Sequence, residues 1–224
     1  MSNTSKSITE KNREKTRTLT VTGIMCGIVI VMSFPFVGTI VLPAVSATIA
    51  FLPVIITTIM LGLKPGLVVA FVGGIASLVR ALFVVNALSP FFLNPLVSIL
   101  PRLMIAVMVW LAFKGLMSLP LPKTFDKIPL AVAISAAVGS VTNTILVLGS
   151  IYLWHVAPLR NGGPILANFG PPIANQMSEF GILGEPATWL FGIGAANGGI
   201  ELIVNALLAT ILVLTLRNAK FAKF

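Results

Sequence analysis

Residues 91–115, FFLNPLVSILPRLMIAVMVWLAFKG, form one apolar stretch that is interrupted by Asn94, Ser98 and Arg102. The stretch is long enough to cross a membrane as a helix. Its three polar residues recur every four positions, so their side chains lie on one face of that helix. A charge at membrane depth is costly, and Arg102 therefore indicates a functional site or a specific partner.

The composition places this helix in an integral membrane protein. Of the 224 residues, 57% are hydrophobic and only 9% are charged, and the mean hydropathy is +1.03. A soluble domain of this size would carry about 25% charged residues. The long apolar runs lack the period-two alternation of a membrane barrel, so we predict an all-α fold.

The apolar runs predict a bundle of six transmembrane helices. A polar, basic segment (1–17) precedes the membrane domain (18–217), and a short tail (218–224) follows it. Glycine and proline in LGLKPG (61–66) predict a tight turn between the second and third helices. The long segment 154–187 is rich in Gly and Pro yet apolar, which is typical of a lid over the external mouth or of a long external loop. The predicted spans are 18–34, 46–62, 66–84, 94–116, 128–153 and 188–216.

The basic residues predict the orientation of the bundle. With the N-terminus inside, twelve of the fifteen lysines and arginines lie on the inner side and only Arg160 lies in an external loop. Arg80 and Arg102 lie within spans. Such a bias is the signature of a multi-pass protein with both termini in the cytoplasm. It explains the net charge of +9 without nucleic-acid binding.

A second polar stripe faces the first. Asn197, Glu201 and Asn205 have the same four-residue spacing on the sixth span, at a depth similar to that of Arg102. Asn143 lies in the fifth span and Arg80 in the outer half of the third. We expect these groups to converge in the outward half of the bundle. The predicted site consists of Asn94, Ser98, Arg102, Asn143, Asn197, Glu201 and Arg80.

Two interpretations of this site remain open. Arg102 and Glu201 pair to hold two helices together, with asparagines as interhelical hydrogen-bonding groups; or Arg102 holds a small anionic solute. The second accounts for the surplus of two arginines over one glutamate, although Arg80 could instead extend to the outer interface. A guanidinium is suited to forked recognition of a carboxylate.

Other chemistries have little support. The single cysteine, Cys26, and the single histidine, His155, cannot form a metal site of the usual composition, and we expect no cofactor. The sequence has no phosphate-binding loop and no catalytic constellation, so we do not expect an enzyme. It also has no obvious two-fold repeat, so energy for uphill transport would come from another chain.

Three motifs carry a resemblance to a known family. They are the small-residue pair Gly23 and Gly27 in the first span, LGLKPGLVVAFVGG (61–74) and NPLVSILPR (94–102). Together with the six spans, they resemble the substrate-binding S component of an energy-coupling-factor (ECF) vitamin transporter, from about residue 18 to 217.

The resemblance implies a prokaryotic cell-membrane subunit that binds a vitamin near its external face. It implies docking on a membrane T component through Gly23 and Gly27, where the family usually has alanines, and the participation of two cytoplasmic ATPases. Transport would involve toppling of the S component in the lipid bilayer.

Within the family, NPLVSILPR (94–102) and the long final loop (154–187) resemble the pantothenate-specific members, and pantothenate is anionic. Alternatives are an S component for riboflavin, hydroxymethylpyrimidine, folate or biotin, a stand-alone secondary carrier, or a structural membrane protein.

Overall fold

The computed structural model describes residues 2–34, 39–41, 46–83, 89–120, 126–153 and 186–218. The helices are α1 (Ser2–Ser33), α2 (Leu52–Leu61), α3 (Leu63–Phe83), α4 (Ser89–Phe92), α5 (Pro95–Ser118), α6 (Lys127–Ile151) and α7 (Pro186–Asn218). Strands β1 (Thr39–Val41) and β2 (Ser46–Thr48) pair antiparallel between α1 and α2, with Ile40 opposite Ala47.

Among the described residues, five helices are long and apolar enough to cross a membrane. The second predicted span corresponds to α2, which is apolar but has only ten residues. The predicted all-α membrane bundle is therefore confirmed, and the short hairpin β1–β2 is an addition to it. The five spanning segments are Asn12–Ser33, Leu63–Phe83, Pro95–Ser118, Lys127–Ile151 and Gly198–Arg217.

The second span differs from the expected 46–62. Residues 46–48 form β2, and the helix begins only at Leu52. Pro53 lies in the first turn of α2, where a proline fits because it lacks an amide hydrogen; it would break a helix that extended further back. Residues 52–59 are all buried, so α2 packs inside the bundle and need not match the bilayer thickness.

The expected tight turn lies at Gly62, which separates α2 from α3. Its φ of +93° belongs to the left-handed region that favours glycine. The Gly62 N–H donates to the Thr58 carbonyl, and the Gly66 N–H donates to the Gly62 carbonyl. Pro65 lies within the first turn of α3, not between the helices.

The helices pack in the order α1, α3, α5, α6, α7, with α2 against α3 and α5. The core between them contains Val54, Ile55, Val69, Ile105 and Val132, all of which are fully or almost fully buried. Glycines permit the closest approaches. A Cβ on Gly74 would lie 2.9 Å from the Ile99 Cα, and a Cβ on Gly139 would lie 2.7 Å from Val109 Cγ2.

One end of the bundle contains the start of α6 and the end of α7. There Asp126 accepts a hydrogen bond from the Ile128 N–H as the N-cap of α6, and its other oxygen lies 2.9 Å from Arg217 Nη1. These contacts hold the pKa of the Asp126 carboxyl below its usual value, chiefly through the hydrogen bond from Arg217. We call this the inner end, following the predicted orientation, and the end where α3 finishes and α5 begins the outer end.

Candidate functional site

The polar stripe on α5 divides into two kinds of residue. Asn94 caps the helix, because its Oδ1 accepts a hydrogen bond of 3.0 Å from the Leu96 N–H. The Ser98 hydroxyl donates to the backbone carbonyl of Phe92. Both groups thus fix the junction of α4 and α5. Arg102 is the member of the stripe whose polar atoms are not used in this way.

Arg102 lies two turns into α5, directly after Pro101 and beneath α4. Its guanidinium carbon is 5.3 Å from the centroid of the Phe92 ring, which is a cation–π geometry. Its Nη1 is buried and has no hydrogen-bond partner among the described residues. Of the described charges, Glu201 stabilises the guanidinium and Arg80 opposes it. Because the Ser98 hydroxyl bonds to the backbone carbonyl of Phe92, Ser98 helps to position the ring that contacts Arg102.

Arg80 approaches Arg102 from α3. The two helices are antiparallel and meet where Gly74 packs on Ile99, so the two arginine Cα atoms lie about 13 Å apart along the bundle axis. Helical side chains lean toward the N-terminus of their own helix, so Arg80 leans inward while Arg102 leans outward. The two side chains line one cavity of about 20 Å³. Arg80 therefore borders this cavity, and its side chain is only partly buried.

The cavity lies between α1, the start of α2, α3 and α5, and it has room for about one water. Its polar lining includes two serines that the sequence analysis did not select. Ser77 precedes Arg80 by three residues on α3, so the two side chains lie on the same face of the helix. That spacing could have identified Ser77 from the sequence. The lining includes Ser33, Phe51, Val54, Ser77, Arg80 and Arg102.

Asn143 lies on α6 and Glu201 on α7. Gly139 packs on Ile105 and Val109, so Asn143, one turn further outward on α6, is level with Arg102. Gly198 packs on Thr144, which brings Glu201 within about one turn of the same level. Asn143, Glu201 and Asn205 are all buried. The structure thus brings Arg102, Asn143 and Glu201 to one layer of the bundle.

Helix α6 supplies two further polar groups that the sequence analysis missed. The hydroxyl oxygens of Ser135 and Ser140 are buried and, like Oδ1 of Asn143, have no hydrogen-bond partner among the described residues. Single serines are common in apolar helices, so Ser135 gave no signal. Ser140 precedes Asn143 by three residues and could have been found by that spacing.

Parts of the predicted site lie outside the described residues. The backbone of Asn197 belongs to α7, but its side chain is not among those described. Most of the predicted lid, residues 154–185 with His155 and Arg160, also lies outside them. For these residues the sequence-based predictions stand as predictions.

Gly23 and Gly27 lie on the outer surface of α1. Both are exposed, and a Cβ on either would meet no atom within 4 Å. Ile24 and Ile28 beside them are also exposed, with 56% and 39% of their surface accessible. Together Gly23, Ile24, Gly27 and Ile28 form an open face, which we call the glycine face, where another helix can approach closely.

Comparison with known protein families places these features in one context. The model of the family described as the ECF transporter, substrate-specific component, matches residues 17–213. The chain belongs to that family. A search of curated proteins returned no significant match.

Membership in the ECF substrate-specific components establishes the general role. These proteins are multi-pass membrane subunits that bind the substrate of the transporter and are not its ATPases. The family implies a T component and an ATPase module as partners. The match covers residues 17–33 of α1, with the glycine face, and the layer that contains Arg102, Asn143 and Glu201.

Proposed function

We propose that this S component captures pantothenate from outside a prokaryotic cell. It then delivers the vitamin by reorienting on its T component while the two ATPases hydrolyse ATP. The observation that carries the choice of substrate is the buried Nη1 of Arg102, which has no hydrogen-bond partner among the described residues. A buried donor on a charged group is costly unless it is satisfied, and a carboxylate satisfies it.

The charges of the site favour an anionic solute. Two arginines line the cavity, and Glu201 is the acidic side chain that acts on Arg102 among the described residues. A surplus of positive charge disfavours thiamine, which is cationic, and gives no advantage to neutral riboflavin or hydroxymethylpyrimidine. Pantothenate, biotin and folate are the anionic candidates.

The uncharged polar groups favour pantothenate among these anions. Pantothenate has an amide and hydroxyls in addition to its carboxylate. Asn143 Oδ1 and the Ser140 hydroxyl have unused hydrogen-bonding capacity in the described structure. In this proposal Asn143, Ser140 and Asn197 form hydrogen bonds with the amide and hydroxyls of pantothenate. Glu201 keeps Arg102 charged. Asn94 and Ser98 act indirectly, by shaping the α4–α5 junction that presents Phe92.

The glycine face is the proposed docking surface for the T component. Its glycines face away from the bundle and leave a shallow, open strip along α1. A helix of the T component can approach this strip more closely than it could if alanine or a larger residue replaced the glycines. The two ATPases would then bind on the inner side, where the basic residues concentrate.

Uptake by reconstituted vesicles tests the proposal. The S component is combined with the T component and both ATPases, and pantothenate accumulation is measured with ATP and with a non-hydrolysable analogue. We expect pantothenate to accumulate with ATP and not with the non-hydrolysable analogue. Accumulation without the ATPases, driven by an ion gradient, would contradict the proposal and favour a stand-alone carrier. Accumulation of riboflavin or a pyrimidine instead would preserve the transporter and overturn the choice of substrate.

A further inference from the structure

We propose that the anionic group of the solute binds between Arg80 and Arg102 at the N-terminal end of α2, and that this subsite takes one carboxylate-sized monoanion. The inference rests on the proposed function and adds the location and the charge of the anion subsite. It assigns a role in recognition to Arg80 and to α2, in addition to that of Arg102.

The first argument is the direction of the two arginine side chains. They enter the same cavity from antiparallel helices and lean toward each other. Two like charges directed into one small cavity repel each other, and the buried Nη1 of Arg102 has no hydrogen-bond partner among the described residues. An anion between them removes both costs at once, and each guanidinium can offer it a forked pair of donors.

The second argument is the position of α2. With ten residues it rises only about 15 Å from the inner end, so it begins near mid-depth. Phe51 and Val54, at its start, line the cavity with the two arginines. No side chain caps this end, and the Leu52 and Val54 N–H groups bond to the carbonyls of Ile49 and Phe51. The N–H groups that would carry the positive end of the helix dipole are therefore already bonded, and α2 contributes Phe51 and Val54 as walls of the subsite.

The third argument concerns charge and size. Arg80 and Arg102 carry two positive charges, and Glu201, which acts on Arg102 from α7, offsets one of them. One unit of charge remains for the ligand to neutralise. A volume of about 20 Å³ holds about one water, so a carboxylate enters only if lining side chains move, and a dianionic phosphate exceeds the one unit of charge that remains. The rest of the solute must lie outside this cavity.

The test compares pantothenate with its uncharged primary amide by calorimetric titration of the purified full-length chain. The ratio of the two dissociation constants reports recognition of the carboxylate alone. We expect the wild-type protein to bind the acid at least about tenfold more tightly than the amide, because a charged pair is lost in the amide. In Arg80→Gln the ratio should fall toward one, while affinity for the amide changes little.

Lys64→Gln is the matched control, because it removes an exposed cation from the inner end of the same helix. Its ratio should equal that of the wild type. Arg80→Lys keeps the charge without the forked geometry and should give an intermediate ratio, which also covers the case in which Arg80→Gln does not fold. A wild-type ratio in a folded Arg80→Gln variant overturns the inference.

An inorganic anion such as chloride is the alternative source of the negative charge between Arg80 and Arg102. The melting temperature of the ligand-free protein is therefore compared in chloride and in gluconate. Stabilisation by chloride that disappears in Arg80→Gln, together with vitamin binding that does not depend on Arg80, assigns the cavity to a resident ion and overturns the inference. If the wild type binds neither pantothenate nor its amide, the proposed function fails and the inference fails with it.

Discussion

Gly66, at the start of α3, faces Thr58 of α2 across the tight turn. A Cβ at this position would overlap Thr58 Oγ1 and lie 3.1 Å from the Thr58 Cα. The Thr58 hydroxyl is held in place by donating to the Val54 carbonyl. Because the backbone itself is close, a rotamer change cannot relieve the contact.

Gly66→Ala should therefore lower the free energy of unfolding by about 1–3 kcal/mol. Gly115→Ala provides the control, since a Cβ there meets no atom within 4 Å and alanine is the better helix former. Thermal unfolding in detergent measures both. Equal melting temperatures for the two variants would show that α2 and α3 do not approach this closely.

The contact of Asp126 with Arg217 predicts a pH dependence. The lowered pKa of the Asp126 carboxyl means that the ion pair stabilises the fold above the unfolded-state pKa of about 3.9, and that this stabilisation is lost as the pH falls through the folded-state pKa. Asp126→Asn keeps an N-cap but removes the charge. It should melt slightly below the wild type at pH 7, and the difference should begin to shrink near pH 4 and disappear once the pH is below the folded-state pKa. A difference that persists in acid would mean that the cap, and not the ion pair, is responsible.

Arg102 could be selected from the sequence alone because an arginine at membrane depth is rare and costly. The local roles of Asn94 and Ser98 could not, because four-residue spacing gives the face of a helix but not the hydrogen-bond partner of each side chain. Both partners, the Leu96 N–H and the Phe92 carbonyl, depend on where α4 ends. Ser33 was missed for a similar reason, since its place beside the cavity depends on how α1 packs on α3.

At the scale of elements, the glycine face of α1 carries the prediction on assembly. Gly23→Leu and Gly27→Leu should leave the melting temperature of the isolated chain unchanged, since both positions face open space. Co-purification with the T component should be lost, because a leucine prevents close helix packing. Gly199→Leu on α7 is the matched control, as this glycine is also exposed with no atom within 4 Å of its Cβ. Normal assembly of both α1 variants would contradict docking through this face.

Helix α2 shows where sequence reasoning about elements fails. The run from Ser46 to Gly62 is apolar throughout, so hydropathy predicts a full span. Residues 46–48 form β2, and the helix α2 that follows has only ten residues. Hydropathy measures preference for an apolar environment, and the interior of the bundle satisfies that preference as well as lipid does. Pro53 was the local signal for the late start of the helix.

At the scale of the whole molecule, the all-helical membrane architecture and the approximate positions of five long apolar helices among the described residues followed from hydropathy. The convergence of Arg80 and Arg102 did not, because it depends on the close approach of α3 and α5 at Gly74. Likewise, the common layer of Arg102, Asn143 and Glu201 depends on the register of three helices. Periodicity gives the face on which each residue lies, whereas the packing of small residues sets the relative depths.

The central claim is that Arg102 holds the carboxylate of an anionic vitamin, and one titration tests it most directly. Pantothenate is titrated by calorimetry into the purified wild-type chain and into Arg102→Gln, with circular dichroism to confirm that both are folded. We predict binding by the wild type and a loss of at least about tenfold in affinity for the variant. Equal affinity in two folded proteins, or a wild-type chain that binds riboflavin and not pantothenate, would contradict the account.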